Sequence, residues 1–158
     1  LLSLNFLIEI KELKNMSENV EKQLRGDEGE VLTAYQDSLG FWTIGIGRLI
    51  DKRKGGGITK EESSYLFQND LKKVEADLDK HLPWWRKLDE ARRGVLINMR
   101  FQLGMAGLLG FKNTLAMIER GEYASAAKGM LQSKWANQTP KRAYRLSEQM
   151  RTATWQYS

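Results

Sequence analysis

The chain has 158 residues, a formal net charge of +5, 41% hydrophobic and 28% charged residues, which suits one ordinary globular domain with room for two lobes but not for two independent domains. Cysteine is absent and His81 is the only histidine. Disulfide frameworks, thiolate nucleophiles and Cys- or His-rich metal sites are therefore excluded, and any hydrolytic chemistry has to rest on carboxylates. No metal or other cofactor is expected. The positive surplus favours a polyanionic partner without choosing among nucleic acid, anionic lipid and an anionic cell wall.

Residues 1–15 start without Met and carry a short apolar run, Leu1 to Ile10. A membrane span needs about 20 apolar residues and a secretory leader a basic start, and Glu9, Lys11, Glu12 and Lys14 argue against a membrane tether. Met16-Ser17-Glu18 reads as a natural start, so residues 1–15 are expected to be an extra segment outside the functional domain at 16–158. Ser17, followed by Glu18 and Glu21, predicts a helix N-terminus. Val20 and Leu24 share one face of that helix, and Gly29 stops it with Glu28 in the last turn.

From 31 to 50 the β-formers Thr33, Tyr35, Phe41, Trp42, Thr43, Ile44 and Ile46, broken by Asp37-Ser38-Leu39-Gly40, predict a hairpin with a four-residue turn. Basic residues 52–54 and Gly55-Gly56-Gly57 predict a flexible loop closing a β lobe at about 26–58. Thr59 and Glu62 form a capping-box pattern, and Phe67, Leu71, Val74 and Leu78 recur at helical spacing. A connecting helix over 59–80, about 33 Å long, is predicted, ended by Pro83. Trp84-Trp85 reads as packing between elements.

The remainder, 84–158, reads as helices at 89–103, 105–110, 112–120, 123–133 and 140–151, with Gly104 as a break and Thr139-Pro140 as an N-cap with Pro in the first turn. The expected fold class is α+β and mostly helical. A small β lobe is joined by the long helix to a larger helical lobe that also packs helix 17–28, with a cleft between the lobes.

Within this frame Glu28 at a helix end, Asp37 in the hairpin turn and Thr43 in the next strand lie close in sequence. Two carboxylates are the minimum for glycoside hydrolysis, one protonating the leaving oxygen and the other assisting a water or attacking the anomeric carbon. Each residue also has a plainer reading, Asp37 as a turn-former and Glu28 as a surface charge, and spacing alone does not decide between them.

Four stretches carry a specific resemblance: Asp27-Glu28-Gly29, Tyr35-Gln36-Asp37, Gly40-Phe41-Trp42-Thr43-Ile44-Gly45-Ile46-Gly47 and Gly57-Ile58-Thr59-Lys60-Glu61-Glu62. It continues through Arg92-Arg93, residues 97–104 and residues 135–143. In this order and spacing the chain resembles the phage-type lysozymes of glycoside hydrolase family 24 over nearly all of residues 16–158. The resemblance implies an endolysin that hydrolyses, with inversion, the β-1,4 bond between N-acetylmuramic acid and N-acetylglucosamine of bacterial peptidoglycan. It implies Glu28 as general acid, with Asp37 and Thr43 holding the attacking water. Phe101, Gln102 and Trp135 match positions that contact substrate, although Phe101 also suits plain core.

On the same resemblance Arg142 is expected to pair with Glu28 and Arg145 with Asp27. Arg48 stands where the family usually has His, and is expected to keep a structural pair with Asp70. The protein is then a monomer without nucleic-acid or stable membrane partners. It accumulates in the host cytoplasm and depends on a holin-type membrane permeabiliser to reach the wall. Two other readings stand beside this one. A catalytically silent peptidoglycan-binding domain would not need Glu28, Asp37 and Thr43 together. A basic nucleic-acid module would gather Lys and Arg with exposed aromatics on one surface.

Overall fold

The computed structural model describes residues 4–50 and 57–157. The chain divides into two compact units, Leu1–Ser63 and Ser64–Ser158. The loop expected at 51–57 lies, except for Gly57, outside the described residues.

The first unit begins with α1 (Leu4–Glu28). This corrects the expected start at Ser17: the helix runs through residues 15–17 without a break. Residues 4–16 contain no Gly or Pro and are rich in Leu, Ile, Glu and Lys, so helix propensity upstream overrides the capping signal of Ser17. The stop is as expected. Gly29 takes a left-handed φ of 72° and its N–H bonds back to the Arg25 carbonyl at 3.1 Å.

An antiparallel three-stranded sheet follows, in the order β1 (Val31–Gln36), β2 (Trp42–Gly45) and β3 (Arg48–Leu49). Tyr35 faces Thr43 and Gln36 faces Trp42, so the predicted turn at Asp37–Gly40 closes the first hairpin. Gly40 supplies the positive φ, 82°, which a side chain would resist. The turn from β2 to β3 rests on two more left-handed glycines, Gly45 and Gly47.

The unit boundary falls inside α2 (Lys60–His81). Its start is the predicted capping box: Glu62 N–H donates to Thr59 Oγ1 at 3.2 Å, and Thr59 N–H to Glu62 Oε2 at 2.9 Å. The second unit continues with a 3-10 turn (Trp85–Lys87), α3 (Glu90–Leu109), α4 (Lys112–Glu119), α5 (Tyr123–Leu131), α6 (Lys134–Gln138) and α7 (Pro140–Thr152). The 3-10 turn and α6 are too short for their periodicity to be read in sequence.

Asp89 caps α3 by accepting from the Arg92 N–H at 3.0 Å. The predicted break at Gly104 is a kink, with φ 73° and ψ 170°. Pro140 does open α7, but Thr139 does not cap it; its hydroxyl donates back to the Trp135 carbonyl at 3.1 Å.

The core of this unit gathers Leu78, Leu96, Met99, Leu108, Met130 and Met150, each at most 1% exposed. Full burial of a side chain of this size contributes about 1.5–3 kcal/mol. Trp85 joins them and donates its indole N–H to Asp79 at 2.7 Å, so the polar edge of a buried ring is satisfied. The C-terminal tail folds back on α3. Gln149, 2% exposed, bonds the Ala91 carbonyl at 2.7 Å and accepts from the Gln156 N–H at 3.2 Å. The architecture is α+β and mostly helical with one small antiparallel sheet, as expected.

Candidate active site

In the first unit Glu28 is the last residue of α1 and is exposed, while Asp37 and Thr43 flank Phe41 in the hairpin. Asp37 is half-buried, and one carboxylate oxygen, Oδ1, accepts from two backbone N–H groups, those of Leu39 and Phe41, each at 2.9 Å. Its own N–H bonds the Phe41 carbonyl at 2.9 Å and its carbonyl receives the Gly40 N–H at 2.9 Å. The turn therefore fixes the residue through four bonds, two of them to carboxylate oxygen Oδ1, and Oδ2 is left without a protein partner among the described residues.

Thr43 is 5% exposed and donates its hydroxyl hydrogen to the same Phe41 carbonyl at 3.3 Å. With its single hydrogen committed, the hydroxyl can only accept from a further group. Asp37 and Thr43 are thus both anchored on the backbone of one residue, each with unused acceptor capacity.

Asp27 sits beside Glu28 on the exposed end of α1. Arg48, expected to pair with Asp70, lies against Glu62 in the first turn of α2, while Asp70 pairs with Lys73 at 3.7 Å. Glu62 and Asp70 lie on one helix, and residue type could not choose between them as partner. Arg48 ties β3 to the capping box, because Glu62 binds it through Oε1 and the Thr59 N–H through Oε2.

The remaining candidates belong to the second unit. Trp135 is 4% exposed and packs edge-on against Phe111, with centroids 5.9 Å apart, so it offers almost no surface of its own. Its indole N–H donates to Gln102 Oε1 at 2.8 Å, which fixes that amide. Phe101 is the opposite case: it is 43% exposed and stands edge to face with Phe67 at 5.8 Å. Arg142 donates from Nε to Asn98 Oδ1 at 2.8 Å and from Nη2 to the Asn98 carbonyl at 3.4 Å. Arg145 reaches the Lys141 carbonyl of its own helix at 3.5 Å.

Phe101 and Arg142 line one pocket of about 440 Å³ together with Phe67, Leu71, Ile97 and Asn98. Asn98, which holds Arg142 in this pocket, is the residue whose part the sequence did not show. It falls inside the stretch 97–104, which marks it without saying what it touches.

Residues 25–152 match the phage lysozyme family. The chain belongs to that family. It is 33% identical to a probable T4-type lysozyme of Dictyostelium discoideum, across 88% of this chain and 97% of that protein. It is 31% identical to the endolysin of Salmonella phage P22, across 81% and 89% respectively. A further similarity, 32% identity, is to the pre-baseplate central spike protein of Enterobacteria phage T4, where 89% of this chain corresponds to 29% of the spike protein. The protein is thus a lysozyme-type glycoside hydrolase of peptidoglycan.

Proposed function

We propose that the protein is a muramidase that cleaves the β-1,4 bond between N-acetylmuramic acid and N-acetylglucosamine, with Glu28 as general acid and Asp37 and Thr43 as the holders of the nucleophilic water. The observation that carries this reading is the pairing of unused acceptors around Phe41. A water placed there would donate one hydrogen to Asp37 Oδ2 and the other to Thr43 Oγ1. Its remaining lone pair is then free to attack the anomeric carbon while Asp37 takes up the proton. Attack by a held water, rather than by the carboxylate itself, inverts the anomeric centre.

Glu28, at the end of a helix and exposed, is accessible to a leaving-group oxygen. Gln102, oriented by the buried Trp135, has amide donors directed by a fixed oxygen and is the candidate for contact with an acetamido or peptide carbonyl. Trp135 is then a positioning residue. Phe101 offers an apolar face beside the Arg142 guanidinium.

The relative named endolysin favours a role in host lysis, with the enzyme made in the host cytoplasm as a monomer and released to the wall by a separate holin-type permeabiliser. Among the described residues no single helix is long and apolar enough to cross a membrane.

The test uses purified peptidoglycan. Wild type should release new reducing ends whose first-formed anomer is inverted, as read by proton NMR, and Glu28→Gln should release them at least about 100-fold more slowly. No reducing ends from wild type, or equal rates in the variant, would refute the assignment. Fractionation of expressing cells without a permeabiliser should leave the enzyme inside the inner membrane.

A further inference from the structure

We propose that Gly47 is a positioning residue for the Glu28 carboxylate: its bare Cα forms the surface on which the acid lies, and the absence of a side chain there sets where the proton is delivered. A Cβ built on Gly47 would stand 2.6 Å from Glu28 Oε2, 3.0 Å from Cδ and 3.3 Å from Cγ. Those distances mean that the volume of an alanine methyl is already occupied by the carboxyl group. Within its own unit no described hydrogen bond or ion pair holds the Glu28 carboxylate, so contact with Gly47 is what limits its approach to the β2–β3 turn.

The neighbouring glycines separate this role from backbone conformation. Gly45, at φ 68°, needs the left-handed region as much as Gly47 does at φ 62°, yet a Cβ on Gly45 meets nothing within 4 Å. Gly29, at φ 72°, is likewise open. Alanine at Gly45 or Gly47 therefore brings the same kind of backbone strain, and only at Gly47 does it also displace the acid.

The displacement is cheap for folding, because Glu28 is exposed and its carboxyl is the far end of a flexible side chain. It is costly for catalysis. A general acid has to sit within about 2.6–3.2 Å of the oxygen it protonates, and restoring ordinary van der Waals contact moves the carboxyl by a large part of an ångström.

This inference rests on Glu28 being the acid, and the experiment keeps the two apart. Gly45→Ala, Gly47→Ala and Glu28→Gln are compared by thermal melting and by kcat and KM on soluble peptidoglycan oligomers. Gly45→Ala and Gly47→Ala should lose similar amounts of Tm. Gly47→Ala should lose kcat by on the order of 100-fold with KM little changed, while Gly45→Ala keeps kcat within about twofold, since strain alone leaves the acid in place.

In a Glu28→Asp background the shorter side chain withdraws from the methyl, so adding Gly47→Ala should cost less than about threefold, a coupling expected only for groups in contact. Equal kcat in Gly45→Ala and Gly47→Ala, or the same loss from Gly47→Ala with Glu28 and with Asp at that position, overturns the proposal. An active Glu28→Gln overturns instead the assignment of the acid.

Discussion

Asp37 has a structural task and a proposed chemical one, and they use different oxygens, so one substitution can separate them. In Asp37→Asn the amide oxygen can replace Oδ1 and go on accepting from the Leu39 and Phe41 N–H groups, both at 2.9 Å in the wild type. The other atom becomes an NH2, a donor where the proposal needs an acceptor for the hydrogen of the attacking water. In Asp37→Ala both bonds to the turn are lost as well. At about 0.5–1.5 kcal/mol net for each bond in a half-exposed turn, the alanine variant should be destabilised by about 1–3 kcal/mol. The asparagine variant should stay within about 1 kcal/mol of wild type, losing only the charge-assisted part of the two bonds.

Activity should fall in both variants, by about 100-fold to 10,000-fold for loss of a general base. Urea unfolding monitored by tryptophan fluorescence gives the stabilities, and reducing-end release from purified peptidoglycan gives the rates. An Asp37→Asn variant as active as wild type would refute the water-holding role. One destabilised as much as Asp37→Ala would refute the division of labour between Oδ1 and Oδ2.

Two further predictions concern the second unit. Asp77 is bonded by Arg100, from Nε at 3.0 Å and also from Nη2, and the bond to Arg100 holds the Asp77 carboxyl below its ordinary value of 3.8. A depressed folded pKa contributes stability above the unfolded value that is lost as pH falls through the folded one. The Tm gap between wild type and Asp77→Asn should therefore be widest above pH 4 and narrow below it; a gap constant down to pH 2 would contradict the linkage. Gly94 is helical, so alanine there gains about 1 kcal/mol of propensity, but its Cβ would stand 2.4 Å from the Trp155 ring. A ring packed on a helix yields less readily than a flexible side-chain end, and Gly94→Ala should cost about 1–3 kcal/mol net with a red shift of Trp155 emission; a stabilised variant with unchanged fluorescence would show that the tail moves freely.

Features that sequence made legible are those decided within a few residues of chain. The capping box at Thr59 and Glu62, the hairpin turn at Asp37–Gly40 and the break at Gly104 each depend on local hydrogen bonding or on a glycine φ, and each formed where its residues predicted. The start of α1 failed for the complementary reason, since Ser17 signals a cap only if the chain before it is not helical. Arg48 shows the same limit at longer range, because nothing local to β3 says that its partner in this unit is Glu62 in the first turn of α2.

The candidate site divides along this line. Asp37 and Thr43 could be read together because they lie within a single predicted hairpin, while their shared anchor on the Phe41 backbone appears only in the structure. Glu28 reaches the same unit from a different element, and its placement against Gly47 depends on how the end of α1 meets the β2–β3 turn. No periodicity or cap encodes that meeting. What the motif Gly45-Ile46-Gly47 carries in sequence is two glycines of equal standing. What separates them is a carboxylate lying on one and open space beside the other, so the acid's position should be more easily disturbed by substitution at Gly47 than at any cap or turn residue nearby.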